Sequence, residues 1–177
     1  MQVIHILRAG LAGLALIALT GCDETAPGSG SKSGGGKGFK AKYAVARDAL
    51  EKGQYDRAKK QYLLLIKDAG PLAPRLQLEY AHAELRSGNY AQAASIASNL
   101  AAGQAGAARS ASLSVQGTAQ HELALQLLAQ GQTDAAKQQL TAARAALAEV
   151  LGEHPDLDPI GSLAGRLASI DARLKTL

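Results

Sequence analysis

The chain has 177 residues and a formal charge of +4, which is long enough for one domain with a proper core. It has no Trp and one Phe, and its abundant Ala, Leu and Gln suit close helix–helix packing better than β-sheet. The mild charge and the lack of any aromatic-plus-basic stretch argue against a nucleic-acid surface. The single Cys22 cannot close an internal disulfide.

The first segment is built for export. Arg8 stands near the amino terminus, residues 9–19 (AGLAGLALIAL) are apolar without a break, and Asp23-Glu24 ends the apolar run. This is the layout of a secretory signal, placed here at 1–21. The stretch between Arg8 and Asp23 is shorter than the ~20 apolar residues a membrane span needs. Leu19-Thr20-Gly21-Cys22 resembles the bacterial lipobox, in which small residues precede a cysteine that is acylated and becomes the new amino terminus. The resemblance implies a lipid on Cys22 and a folded part facing the periplasm or the cell surface, since two acyl chains already anchor a protein stably. The other reading of Cys22, an incidental thiol in an uncleaved anchor helix, would place His5 and Arg8 inside the apolar span, where charge is expensive. Asp23 directly after the cysteine resembles the signal that retains enteric lipoproteins in the inner membrane.

A tether follows. Residues 22–38 are Gly/Ser-rich after the cysteine and have no apolar periodicity, so a flexible coil is expected. Lys37 is followed by Gly38 rather than Ser or Thr, and no strand precedes it, so this is not a phosphate-binding loop.

From residue 39 onward the apolar spacing is helical. Helices are expected at 40–52, 55–69, 74–87, 90–102, 106–130, 133–151 and 159–176, the last with Asp158 as cap and Pro159 at its first position. Three junctions share one grammar. Gly53 is followed by Ala58, Tyr62 and Leu65; Gly88 by Ala93, Ala97 and Leu100; Gly131 by Ala136, Leu140 and Ala143. Each Gly can end a helix in the left-handed conformation. The residue after it can start the next helix, with Asn89 the strongest capper of the three. The small Ala then lets paired helices approach closely.

This pattern resembles the tetratricopeptide repeat over residues 39–151. The first two glycines lie 35 residues apart and the third 43 after the second, against a family period of about 34, which implies a lengthened helix near 105–130. The family's Trp and Gly in the inner helix are missing, and Pro71 and Pro155 only approximate its closing Pro. The resemblance implies a concave face lined by Lys40, Tyr43 and Arg47, then Arg75, Glu79, His82 and Arg86, then His121, Glu122 and Leu125. The family's carboxylate clamp of Lys and Asn pairs is not expected, because the two asparagines, Asn89 and Asn99, fall off this face.

Nothing in the pattern points to catalysis. His121-Glu122 starts like a zinc-protease motif, but Leu125 stands where the second His belongs. Ser110, Ser112 and Ser114 have no nucleophile-elbow context. The apolar seam of the last helix, Ile160, Leu163, Leu167, Ile170, Leu174 and Leu177, reads as a cap over the end of the array, with a coiled-coil dimer contact as the other reading. Charge is uneven: residues 39–70 carry eight Lys/Arg against four Asp/Glu, and 71–177 carry eight against nine.

The expectation is therefore an all-α protein, a short tetratricopeptide-like solenoid at 39–177 with a C-terminal capping helix, held to a membrane through Cys22. Its expected role is a non-catalytic scaffold or adaptor of the cell envelope with no cofactor beyond the covalent lipid. The partner would be another envelope protein or peptide. A self-associating structural lipoprotein and a client-binding chaperone are the alternatives.

Overall fold

The computed structural model describes residues 35–177, and every regular element among them is helical. The expected signal segment, Cys22 and most of the tether lie outside the described residues. The helices are α1 (Gly35–Glu51), α2 (Tyr55–Lys67), α3 (Ala73–Arg86), α4 (Tyr90–Ala102), α5 (Gly106–Ala129), α6 (Thr133–Glu153) and α7 (Ser162–Leu174). Short 3-10 turns at Gly70–Leu72 and Pro155–Leu157 precede α3 and α7. Each helix packs against the next in the chain, as short connections between antiparallel neighbours require. Second-neighbour contacts of α3 with α5 and of α5 with α7 set these odd-numbered helices side by side.

The three repeated junctions have one backbone geometry. Gly53, Gly88 and Gly131 have φ of +72°, +83° and +74°, which glycine adopts without steric cost. The residue after each glycine donates its N–H to the carbonyl five residues back: Gln54 to Ala49, Asn89 to Glu84 and Gln132 to Leu127. The glycine itself bonds the carbonyl three residues back. This pair of bonds is the Schellman closure. The carbonyl of that same following residue then accepts from Ala58, Ala93 or Ala136, so one residue closes a helix and opens the next. All three alanines are fully buried in clusters that each draw on three helices. Asn89 departs from expectation. Its side chain makes no cap bond; its Nδ2 donates to Glu84 Oε2 at 2.7 Å, a charge-assisted bond that fixes the amide outside capping geometry.

Both ends of the helical region shift. Helix α1 begins at Gly35, inside the stretch expected as tether. Helix α7 begins at Ser162 rather than 159, since Pro155–Leu157 makes a turn and Gly161 takes φ +73°. Asp158 still serves the new helix. Its two carboxylate oxygens accept the N–H groups of Leu163 (3.0 Å) and Ala164 (2.9 Å), which would otherwise be orphans of the first turn.

Helix α5, 24 residues long, is the lengthened helix the spacing implies. Its buried positions run from Ser110 to Ala124 with few gaps, because α3, α4, α6 and α7 all touch it. A helix buried on several faces loses its amphipathic stripe. At Gly117 a Cβ would meet Leu147 Cγ at 2.7 Å and the Ala143 carbonyl oxygen at 3.2 Å. The close approach of α5 and α6 depends on that missing side chain.

Gly117→Ala should therefore lower the thermal midpoint. Overpacking costs about 1–3 kcal/mol and outweighs the roughly 1 kcal/mol that Ala gains in helix propensity. Gly152→Ala on exposed α6 backbone, with nothing within 4 Å, should raise the midpoint. Calorimetry that finds Gly117→Ala as stabilising as Gly152→Ala would contradict this packing.

Candidate functional site

The inner faces of α1 and α3 bring together most of the expected groove residues around one carboxylate. Glu79 of α3 accepts from Tyr43 (2.8 Å) and Arg47 (2.8 Å) of α1 and from Tyr62 (3.0 Å) of α2. Tyr62 is fully buried, and its hydroxyl would otherwise lose a partner at a cost of about 1–3 kcal/mol. Burial alone would raise the Glu79 carboxyl, but the donors from Arg47, Tyr43 and Tyr62 outweigh it and hold it below its usual range. Burial and the neighbouring carboxylate push both tyrosines up. Arg47 shares a second ion pair with Glu51 (3.1 Å) along its own helix.

Above this network lies an open groove of about 320 Å³, lined by Arg47, Leu50, Glu51, Arg75, Leu78, Glu79, His82 and Arg86. Arg75 also borders a smaller pocket of about 230 Å³ with Phe39, Tyr43, Leu72 and Leu76. Glu79 is already committed to three donors, so the groove's unengaged groups are cationic or polar. Arg75 and Arg86 are exposed and make no ion pair among the described residues. The Arg86 guanidinium stands 5.6 Å from the Tyr55 ring centroid, in cation–π range. Lys40 is exposed but borders neither cavity.

The last third of the expected groove is closed. His121 is only 5% exposed, and α7 covers it: Arg166 Nη1 donates to His121 Nδ1 (2.7 Å) and to Glu122 Oε1 (2.6 Å). An arginine can only donate, so Nδ1 accepts and the ring proton sits on Nε2, which is buried with no partner. Burial, and then the Arg166 charge, hold the imidazole below its usual pKa. His121 and Glu122 are thus pinned beneath α7 rather than offered to a ligand, and Leu125 beside them is half-buried. The sequence does not single out Arg166. Its one signal is a guanidinium set one residue off the apolar seam of Leu163, Leu167 and Ile170.

The serines of α5 make their bonds within the fold. Ser110 Oγ lies 2.9 Å from His154 Nδ1, but Ser110 is fully buried and meets no solute. Ser112 donates to Gln104 Oε1 (2.7 Å) and Ser114 to the Ala111 carbonyl (2.8 Å). A second buried carboxylate, Glu84, is equally silent in the sequence. It accepts from Asn89 (2.7 Å) and from Lys59 of α2 (3.4 Å). Burial pushes this carboxyl up, yet its donors bring it below the usual range.

No protein-family model, characterised protein or solved structure matches this chain.

Glu79 and Glu84 bind protons less readily folded than unfolded. The stability they confer is complete above the ordinary carboxyl pKa of about 4.3 and is lost as pH falls through their lower folded values. Glu79→Gln should cost about 1.5–3 kcal/mol at pH 7 and flatten the fall of thermal midpoint below pH ~4.3. An acid limb as steep as wild type would show that Glu79 is not held below its usual range.

Proposed function

We propose that the chain is a membrane-tethered scaffold of the bacterial cell envelope that binds another protein or peptide and performs no chemistry itself. The observation that carries this reading is the open groove between α1 and α3, with Arg75, His82 and Arg86 facing outward over a floor locked by Glu79. A rigid floor beneath two arginines without an ion-pair partner among the described residues, Arg75 and Arg86, favours a ligand that arrives with carboxylates, since orientation is fixed before binding. The repeated Gly–x–x–x–x–Ala junctions with their shared closure support a short tetratricopeptide-like solenoid. On this reading α7 is its terminal cap: Ile170 is fully buried, and Leu163, Leu167 and Leu174 pack on the α5–α6 pair. With the middle of the seam spent inside the domain, only Ile160 and Leu177 at its ends stay exposed, too little for a coiled coil, which favours the adaptor over the self-associating alternative.

The tether reading rests on the sequence alone. An apolar segment too short to span, ending in Leu-Thr-Gly-Cys22, supports acylation at that cysteine. No helix among the described residues is long and apolar enough to cross a membrane. A lipid on Cys22 would then hold the folded part at the periplasmic face. Asp23 favours the inner membrane as the anchoring leaflet.

Two measurements test the proposal. Metabolic palmitate should label the wild-type chain and not Cys22→Ser, which should leave the membrane fraction or persist as a longer precursor; equal labelling would refute the anchor. A photo-crosslinking residue at Arg75 or His82 should capture one discrete partner in intact cells, while the same residue at exposed Gln138 of α6 should not. Equal capture from both positions would refute the groove.

A further inference from the structure

The outer side of the first two hairpins differs from the groove in chemistry. Helix α2 turns Arg57, Lys60, Leu64 and Lys67 outward at spacings of three and four, which places them on one stripe. Leu63 joins them, and the two leucines are 47% and 49% exposed. Lys59 does not belong to this set, being occupied by Asp56 (3.2 Å) and Glu84 (3.4 Å). Lys60 and Lys67 make no ion pair among the described residues, and Arg57 bonds only the neutral Gln54. The acids nearby are Asp56, held by Lys59, and Asp68, at the C-terminal cap of α2. Next to this stripe, a shallow cavity of about 420 Å³ runs from Leu63 and Ile66 to Gln92, Ile96 and Asn99 of α4. Helix α4 itself contains no acidic or basic residue. Between those two acids, which mark its ends, the face carries cations, half-exposed leucines and neutral amides.

We infer that this outer face of α2 docks on an anionic phospholipid surface. Charge complementarity is one reason. A basic helix face carrying exposed leucines seats its apolar side chains at the acyl boundary while its cations meet lipid phosphates. Position is the other. The α1–α2 hairpin is antiparallel, so the Leu63–Lys67 end of α2 lies beside the start of α1, where the chain arrives from Cys22. Residues 23–34 separate that cysteine from Gly35, a reach of at most about 40 Å. A lipid on Cys22 keeps the face within reach of the membrane, and docking turns the α1–α3 groove away from it. The inference rests on the tethered reading for proximity, while the surface chemistry stands by itself.

The absence of tryptophan allows a clean test. Leu64→Trp places a single indole on the stripe, with Leu63→Trp as a second reporter should the first disturb folding. Gln138→Trp on exposed α6 is the control. The full chain is incorporated into vesicles of phosphatidylcholine, or of phosphatidylcholine with phosphatidylglycerol, each with and without brominated acyl chains. With phosphatidylglycerol, the emission of Leu64→Trp should shift to the blue and be quenched by bromine. Both effects should be lost in 0.5 M salt, a concentration that shortens the screening length to roughly 4 Å. They should also be lost when Arg57→Gln, Lys60→Gln and Lys67→Gln are added, and the control indole should stay unquenched throughout. The inference is overturned by an unshifted stripe indole in anionic vesicles, by equal quenching in neutral ones, or by equal quenching of the stripe and control indoles. An unshifted stripe indole would leave this face to an acidic protein. Flotation with pure phosphatidylcholine vesicles reports the anchor separately: a chain that floats while its stripe indole stays unquenched in anionic vesicles fails the docking inference and keeps the tether.

Discussion

One carboxylate decides how the first hairpin meets the second. Glu79 draws a hydroxyl and a guanidinium from α1 and a buried hydroxyl from α2, so three helices share a single acceptor. Apolar packing alone would leave α1 weakly placed, since its buried contribution is two alanines and a leucine, Ala46, Ala49 and Leu50, with Phe39 and Tyr43 only partly buried against them. Small side chains let helices approach but fix their rotation poorly, whereas charge-assisted bonds are directional. The same bonds neutralise Glu79 and leave the groove above it to Arg75, His82 and Arg86. Fold and groove thus share one group: the acid that seats α1 is also why the groove presents arginines.

The far end is organised by the opposite arrangement. There a cation from the last helix, Arg166, reaches back to a histidine and a carboxylate on α5, and α7 closes the face that α1 and α3 leave open. The α5–α6 pair gains an apolar partner from α7 through Ile170. A ligand in the open groove would therefore meet the first two hairpins and not the third.

Much of the fold is legible in the sequence because it repeats. The Gly-to-Ala offset recurs three times, and a glycine that must take positive φ followed by a fully buried alanine leaves a pattern that no single helix would produce. Helix ends fall within a few residues of their expected places except at the two ends of the helical region. At Gly35 the composition says coil while the backbone continues the helix, and at Gly161 a turn displaces the start of α7. The site is less legible. Tyr43, Arg47 and Glu79 sit on the expected face, but their engagement with one another depends on Tyr62 from a different helix, and no local spacing encodes that. His121 and Glu122 are on the right helix yet beneath α7, because the path of the last helix is set by packing rather than by periodicity. Asn89 has the composition of a helix cap, but a buried Glu84 five residues earlier holds the stronger claim on its side chain. Gly117 carries no signal at all, since only the opposing Leu147 reveals why a side chain is forbidden there.

If Glu79 is the tie that seats the first hairpin, its loss should be felt locally. Native-state hydrogen exchange, compared residue by residue between wild type and Glu79→Ala, reads this directly. Amides of α1 and α2 should lose protection together by about ten-fold or more, a change of about 1.4 kcal/mol, while those of α5 and α6 keep theirs. Unchanged protection in α1, or an equal loss spread over all seven helices, would show that packing rather than this carboxylate holds the groove in place.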